Sequence, residues 1–389
     1  MTEQSHRWIW VSLGGASITF HIWLIFSGLV PSLVSRPLHM ALALPWVFIF
    51  AANGTVQRCL GLCLTFIGIL FCGFIALNET SLSDQYGFIS GGWQITVAVG
   101  LIFLTLEMAR RAVNWPLPLI TFLFLLYGLF GNHIPGEFGH PGLPLNSFLG
   151  TLVITEGGLW GKLTGVSVSV VAVFVIFGAI LNAGEAGQGF MNMAIAAAGR
   201  LKGGAAKVSV LSSALFGSIS GSASANVAST GMVTLPSMQA LGYPKRIAAA
   251  VEAVASTGGQ IMPPLMGAGA FVMVELTGVP YTGIISAAVL PALLYFAAVW
   301  IGINAYARRF DLAPISDADK PATRDVIITA CFFLVPFAVL MWGMFVTQVT
   351  PQYAACMATL VGAAMLIVDG RLTVDLKVTA QRFEGAFIG

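Results

Sequence analysis

The stretch Phe216-Gly-Ser-Ile-Ser-Gly-Ser-Ala-Ser-Ala-Asn-Val-Ala-Ser-Thr-Gly231 places glycines, hydroxyls and an amide in an otherwise strongly apolar chain. A second such stretch follows, Val251-Glu-Ala-Val-Ala-Ser-Thr-Gly-Gly-Gln-Ile-Met-Pro-Pro264. Within a bilayer, irregular backbone is tolerated only beside a cavity or inside protein, because its amides and carbonyls need partners. Discontinuous helices near the bilayer midplane are the usual construction of binding sites in secondary transporters. The two stretches therefore predict a transport site.

Composition predicts an all-α polytopic membrane protein. Hydrophobic residues make up 57% of the 389 and charged residues 9%, against about 25% charged in soluble domains, and the mean hydropathy is +0.88. About ten transmembrane helices are expected in the apolar runs. These runs lie at about 8–31, 38–54, 59–77, 93–109, 117–134, 164–183, 247–277, 283–305, 325–346 and 353–368.

The basic residues predict the orientation. All but two of the 18 Lys and Arg fall on the same side as the N-terminus, and the two exceptions are Arg36 and Lys162. The positive-inside rule then predicts that both termini are cytoplasmic. We expect the chain to lie in the inner membrane of the cell. No nucleic-acid partner and no cofactor are expected, and the five cysteines show no metal-binding spacing.

The segment at about 208–241 is predicted to be a re-entrant helical hairpin with its tip between Ser220 and Ala225. Basic residues flank both ends, and each arm of roughly 15 residues spans only about 22 Å of a hydrocarbon core about 30 Å thick. Two short tilted spans are the alternative. The run 247–277 is predicted to be a broken helix, unwound at Gly258, Gly259, Pro263 and Pro264 into two half-helices joined by extended backbone.

We expect residues 1–145 to form a module of scaffold helices and residues 146–389 to carry the transport site. Only one hairpin and one broken helix occur, whereas inverted-repeat transporters present matching interruptions in two halves. The chain is therefore expected to hold half of an inverted-repeat core, with the second half absent or separately encoded.

Neutral oxygen ligands make the two stretches candidates for a monovalent cation, since Mg²⁺ or Ca²⁺ would recruit several carboxylates. Close helix packing through Gly217 and Gly221 is the alternative. At a helix break, freed carbonyls attract cations and freed amides attract anions, so a cation and a carboxylate could share the site. Glu252 lies at membrane depth, and three roles are open for it: a cation ligand, a proton site, or a hydrogen-bond acceptor for nearby hydroxyls. The candidate neighbourhood comprises Ser218, Ser220, Ser222, Asn226, Thr230, Glu252, Ser256, Thr257, Gly258, Gly259, Gln260, Pro263 and Pro264.

The run Gly217-Ser-Ile-Ser-Gly-Ser-Ala-Ser-Ala-Asn-Val, then Leu235-Pro, Gly242-Tyr-Pro and Glu252 to Pro264, resembles the tripartite ATP-independent periplasmic (TRAP) transporters. The likeness is to TAXI-type fused permeases, which join a small membrane subunit to the large one. It implies an elevator-type core and sodium-driven import of an organic anion, delivered by a periplasmic TAXI-type binding protein. The resemblance also implies Na⁺ candidates at Ser220, Ser222, Asn226, Ser256, Thr257 and Gly258.

Three other functions are alternatives to transport. A channel also uses re-entrant backbone, but no symmetric filter is evident in the sequence. A scaffold or assembly fragment would explain the first five spans and leave the polar stretches unexplained. An intramembrane serine protease would need a base near Ser220 or Ser222, and no histidine follows His140. No enzymatic activity is expected.

Overall fold

The computed structural model describes residues 3–52, 54–316, 320–371 and 373–388, and their side chains from Arg7 onward. These ranges contain helices and no strand, as the composition predicts. The helices are α1 Glu3–Phe26, α2 Ser32–Pro45, α3 Thr55–Leu77, α4 Glu79–Ser83, α5 Gly91–Val113, α6 Pro116–Phe130, α7 Leu145–Val153, α8 Lys162–Val166, α9 Ala172–Ala183, α10 Ala186–Ala198, α11 Gly204–Ser220, α12 Ala223–Ala240, α13 Lys245–Gly258, α14 Gly269–Thr277, α15 Tyr281–Arg309, α16 Thr323–Phe345, α17 Pro351–Met365 and α18 Leu376–Ile388. Short π-helical segments at Trp46–Phe50 and Ser167–Val171 continue α2 and join α8 to α9.

Eight helical stretches in the described residues are long and apolar enough to cross a membrane. They agree with eight of the ten predicted spans, and the chain is a multi-pass membrane protein. The ninth prediction, 247–277, is interrupted as expected, into α13 and α14. The tenth, 353–368, coincides with α17, which has 15 residues and is therefore about 22 Å long, short for a full crossing.

The described chain divides into two compact units. One is Phe26–Val168. Its core is apolar and includes the fully buried Leu44, Phe48, Leu101 and Leu104. The other combines Met1–Ile25 with Ser169–Gly389 and holds both polar stretches. The predicted module boundary at residue 145 stays a prediction.

Within the larger unit, α10 was not predicted as an element. It packs against α11 and α16. Asn192 of α10 donates a hydrogen bond of 3.0 Å to Thr329 of α16. A Cβ on Gly189 would lie 2.4 Å from the Thr329 carbonyl oxygen, so the two backbones touch. The apolar runs of the sequence give no sign of this helix, because its 13 residues are too few to form a membrane span.

Candidate functional site

The hairpin predicted from the sequence is present, with a tighter turn and an earlier start. It begins at Gly204 rather than near 208, so Lys207 lies inside the first turns of α11. The Lys207 side chain is buried, and its ammonium lies 5.2 Å from the centre of the Trp300 ring. Only Gly221 and Ser222 separate the two arms. Gly221 has φ +59°, a conformation that favours glycine, and Ser222 caps α12 by accepting a bond from the Ala225 amide.

The broken helix is unwound at a different place from the one we expected. Ser256, Thr257 and Gly258 are still helical at the end of α13, and a 3₁₀ turn continues to Ile261. The irregular backbone is the segment from Met262 to Ala268. The prolines therefore end the helix close to their own position, where they lack an amide hydrogen and clash with the preceding turn. The two glycines were predicted to unwind the helix, and that prediction was wrong.

Gly217 and Gly259 instead allow two backbones to touch. A Cβ on Gly217 would lie 2.2 Å from the Cα of Gly259, and a Cβ on Gly259 would lie 2.6 Å from the side-chain nitrogen of Asn226. Nearby, a Cβ on Gly221 would lie 1.9 Å from the carbonyl oxygen of Met266. The hairpin tip is thus seated directly on the irregular segment. The Leu265 amide also donates a 3.2 Å hydrogen bond to the Ser218 carbonyl.

Beside this contact, the carboxylate of Glu252 is 1% exposed and surrounded by hydroxyl groups. Its Oε2 accepts hydrogen bonds from Ser209 of α11, at 2.8 Å, and from Thr234 of α12. Its Oε1 accepts from Thr230 at 2.5 Å and from Ser256 at 3.3 Å. Three helices therefore supply the partners of one carboxylate.

Ser213 and Asn226 form a second layer around the carboxylate and its four partners. We call the whole group the Glu252 cluster: Ser209, Ser213, Asn226, Thr230, Thr234, Glu252 and Ser256. The Ser213 hydroxyl lies 3.3 Å from that of Thr230 and 3.5 Å from that of Ser256. The Asn226 amide nitrogen donates to the Ser213 carbonyl at 2.8 Å, and its oxygen lies 3.3 Å from the Thr230 hydroxyl. All seven side chains are buried.

The Glu252 cluster has no internal positive charge. In the described part of the chain, each hydrogen-bond partner of the carboxylate is a neutral hydroxyl, and no Lys, Arg or His forms an ion pair with it. A buried carboxylate without a counter-charge is costly, although hydroxyl donors reduce the cost. The geometry therefore suits a small cation or a proton at this position.

The structure separates the predicted site residues into groups. Asn226, Thr230, Glu252 and Ser256 meet in the cluster. Ser220 and Ser222 lie together at the hairpin turn, where the Ser222 amide is 3.5 Å from the Ser220 hydroxyl. Ser218 is buried, and its hydroxyl bonds to the Leu215 carbonyl in its own helix.

The remaining predicted residues belong to α13 and the segment after it. Thr257 is exposed, and its hydroxyl donates to the Ala253 carbonyl at 2.7 Å, so the structure turns it away from the cluster. Gly258 packs against Tyr295, and Gln260 is exposed while its carbonyl accepts from the Gly267 amide. Pro263 is half-buried and Pro264 is buried; the Pro264 carbonyl accepts from the Tyr281 hydroxyl.

Ser209, Ser213 and Thr234 belong to the cluster and were not selected from the sequence. A signal was present: Ser209 and Ser213, then Asn226, Thr230 and Thr234, then Glu252 and Ser256, recur every four residues. This spacing aligns side chains on one face of a helix. In a membrane helix, such a polar face must point into protein.

The described residues contain no group of three or more His, Cys, Asp or Glu that could hold a metal ion. Ser220 and Ser222 are hydrogen-bonded to no histidine or lysine in the same ranges. Activation of a serine nucleophile needs such a base. The arrangement is therefore one of neutral oxygens around a carboxylate, without the layout of a serine hydrolase.

Several known proteins are similar to this chain in sequence. The chain is 27% identical over 214 residues to the C4-dicarboxylate TRAP transporter large permease protein DctM of Pseudomonas aeruginosa, covering 54% of this chain and 49% of that protein. It is 30% identical over 151 residues to the isethionate TRAP transporter permease protein DctMQ of Oleidesulfovibrio alaskensis, covering 38% of this chain and 24% of that protein. It is 32% identical over 101 residues to the ectoine TRAP transporter large permease protein TeaC of Halomonas elongata, covering 26% of this chain and 24% of that protein.

The matched segment spans at most about half the length of these relatives. The family model described as the tripartite ATP-independent periplasmic transporter, DctM component, matches residues 100–385, well over half of this chain. Those residues include the hairpin, the break and the whole Glu252 cluster. The chain therefore belongs to the DctM component family of tripartite ATP-independent periplasmic transporters.

Proposed function

We propose that this chain is part of the permease of a sodium-coupled transporter that imports an organic anion delivered by a periplasmic substrate-binding protein. One observation carries the proposal: the hairpin tip is seated on the irregular segment of a broken helix, beside a buried carboxylate with only hydroxyl partners. Secondary transporters build ion and substrate sites from such discontinuous helices. Membership of a transporter permease family gives no reason to expect an enzyme.

Sodium is the coupling ion that we propose for the Glu252 cluster. Hydroxyl and amide oxygens suit a hard monovalent cation, and the single carboxylate would balance its charge. Sodium binding would also hold α11, α12 and α13 together, because each contributes oxygens to the cluster. The Glu252 carboxylate is thereby assigned as a cation partner, in addition to accepting hydrogen bonds.

The organic anion is proposed to bind where the chain unwinds between Met262 and Ala268. Here α14 begins at Gly269, and the positive end of a helix dipole attracts anions. The relatives named above carry names that refer to a dicarboxylate, a sulfonate and ectoine. We infer a carboxylate substrate for this chain, with a TAXI-type binding protein as partner and an elevator-type movement of a core that carries the hairpin and the broken helix. Both termini are proposed to be cytoplasmic, with residues 1–145 as the scaffold.

Thermal unfolding of the purified chain tests sodium binding. We expect NaCl to raise the Tm more than KCl or choline chloride at equal ionic strength, because a ligand that binds only the folded state stabilises it. Ser256→Ala should remove this difference. Thr257→Ala is the matched control: it deletes the neighbouring hydroxyl, which points away from the cluster, and should keep the full sodium effect. Equal Tm values in NaCl and KCl for the wild type would refute sodium binding at the cluster.

A proton is the second candidate for the same position, and the lack of a counter-charge at Glu252 supports it equally. Sodium and the proton are distinguished by measuring substrate uptake in proteoliposomes that contain the complete transporter, with its binding protein added. Sodium coupling requires uptake that follows an imposed sodium gradient at constant pH. Uptake that follows a pH gradient and is indifferent to sodium would assign the cluster to a proton.

A further inference from the structure

A groove in the Phe26–Val168 unit has no role in the proposed transport site. It has a volume of about 580 Å³ and lies where α3 begins and α5 ends. This volume falls within the ~300–1,000 Å³ typical of small-molecule sites. Since α3 and α5 are both candidate spans, their ends at the groove lie at the level of one membrane–water interface.

The wall of the groove is apolar along the two spans. Leu60, Cys63 and Leu64 of α3 face Phe103 of α5 across it. Leu60, Cys63 and Phe103 are exposed in the chain, so no described protein segment covers them. In a membrane, this part of the groove is in contact with acyl chains.

The mouth of the groove carries two arginines and one glutamate, and so has a net positive charge. Glu107 accepts hydrogen bonds from Arg110 at 2.6 and 2.7 Å and from Arg111 at 2.8 Å. Arg111 also donates to the Phe48 carbonyl at 3.2 Å. Each guanidinium has five N–H donors, so these four bonds leave most of the donors available to another acceptor. Glu107 holds both guanidiniums in place.

Two further features place the mouth at the headgroup level. The Arg110 guanidinium lies 5.3 Å from the ring centre of Trp115, which is 66% exposed, and tryptophans of this kind concentrate at membrane interfaces. Arg110 and Arg111 also occupy the last turn of α5, where cations are favourable. Basic pockets between transmembrane helices bind anionic lipid headgroups.

We infer that this groove binds an anionic phospholipid, with its phosphate at Arg110 and Arg111 and an acyl chain against Leu60, Cys63 and Phe103. The occupant is a lipid rather than a free phosphate, because the charged mouth opens directly into an apolar wall. This inference does not depend on the proposed transport of sodium or of an organic anion.

Native mass spectrometry of the full chain in detergent tests the inference, with phosphatidylglycerol and chain-matched phosphatidylcholine as probes. We expect phosphatidylglycerol to bind more tightly, and Arg110→Gln to weaken it about fivefold, since one basic residue near the surface contributes roughly that factor. Cys63→Trp, which fills the apolar part, should reduce binding of both lipids. Arg308→Gln is the matched control, because it removes one arginine of a similar pair at the end of α15.

Equal binding of both lipids by the wild type, or unchanged phosphatidylglycerol binding in Arg110→Gln, would overturn the inference. Glycerol phosphate that competes as well as the lipid would indicate a free-phosphate site instead. A dimer without bound lipid would assign the groove to a second copy of the chain. Circular dichroism of each variant separates loss of binding from loss of folding.

Discussion

Replacing Gly217 by alanine should separate the hairpin from the broken helix. The new Cβ would lie 2.2 Å from the Cα of Gly259, more than 1 Å short of the ordinary contact range of 3.4–4 Å. The obstacle is backbone, so no side-chain rotation relieves it, and α11 must move away from the 3₁₀ turn. Overpacking of this kind costs typically 1–3 kcal/mol.

The expected result is a fall in Tm of roughly 2–12 °C, taking ~2–4 °C per kcal/mol for a unit of this size. It is measured by differential scanning fluorimetry in detergent. Because the displacement also moves Ser213 away from Ser256, the extra stabilisation by NaCl over KCl should shrink as well.

Gly302→Ala is the matched control for this experiment. Gly302 is also in a helix of the same unit, and a Cβ there would meet nothing within 4 Å. We expect its Tm to be unchanged or slightly raised, since alanine favours helix over glycine by about 1 kcal/mol. A Gly217→Ala protein as stable as the wild type and as Gly302→Ala would refute the close backbone contact.

Three further predictions concern charged side chains of the same unit. Glu252→Gln keeps the shape of the side chain and removes its charge, so it should abolish both the sodium-dependent rise in Tm and substrate uptake by the complete transporter. Arg382→Met removes a half-buried ion pair with Glu185 and a 2.7 Å bond to the Val368 carbonyl, and should raise the hydrogen-exchange rate of α18 amides about tenfold or more. The hydrogen bond from Lys202 lowers the pKa of Asp311. The pair therefore stabilises the folded state at pH values above the ordinary aspartate pKa, and this stabilisation is lost as the pH falls through the lowered pKa. When the pH is lowered below about 4, the Tm of Asp311→Asn should therefore decrease less than the Tm of the wild type. The difference should be small, because the pair is exposed.

Much of the fold follows from the sequence because the governing signals are local. Apolar runs of about 20 residues predict spans whatever their neighbours, and eight of the ten predicted spans are helices of that length. The hairpin and the interruption by Pro263 and Pro264 are present for the same reason. The missing donors of the prolines act on the turn that precedes them.

The arrangement of the candidate site depends on tertiary packing. Ser209 and Glu252 are 43 positions apart in the chain and share a 2.8 Å hydrogen bond, which exists only because α11 and α13 touch. Ser256 and Thr257 are adjacent hydroxyl residues, yet one faces the cluster and the other faces away. The sequence by itself determined the eight long apolar helices, the presence of a hairpin and of a break before α14, and the family motif. The tertiary structure alone decided that Gly259 permits contact rather than unwinding, and which hydroxyls surround Glu252, because both depend on how three helix faces are rotated against one another.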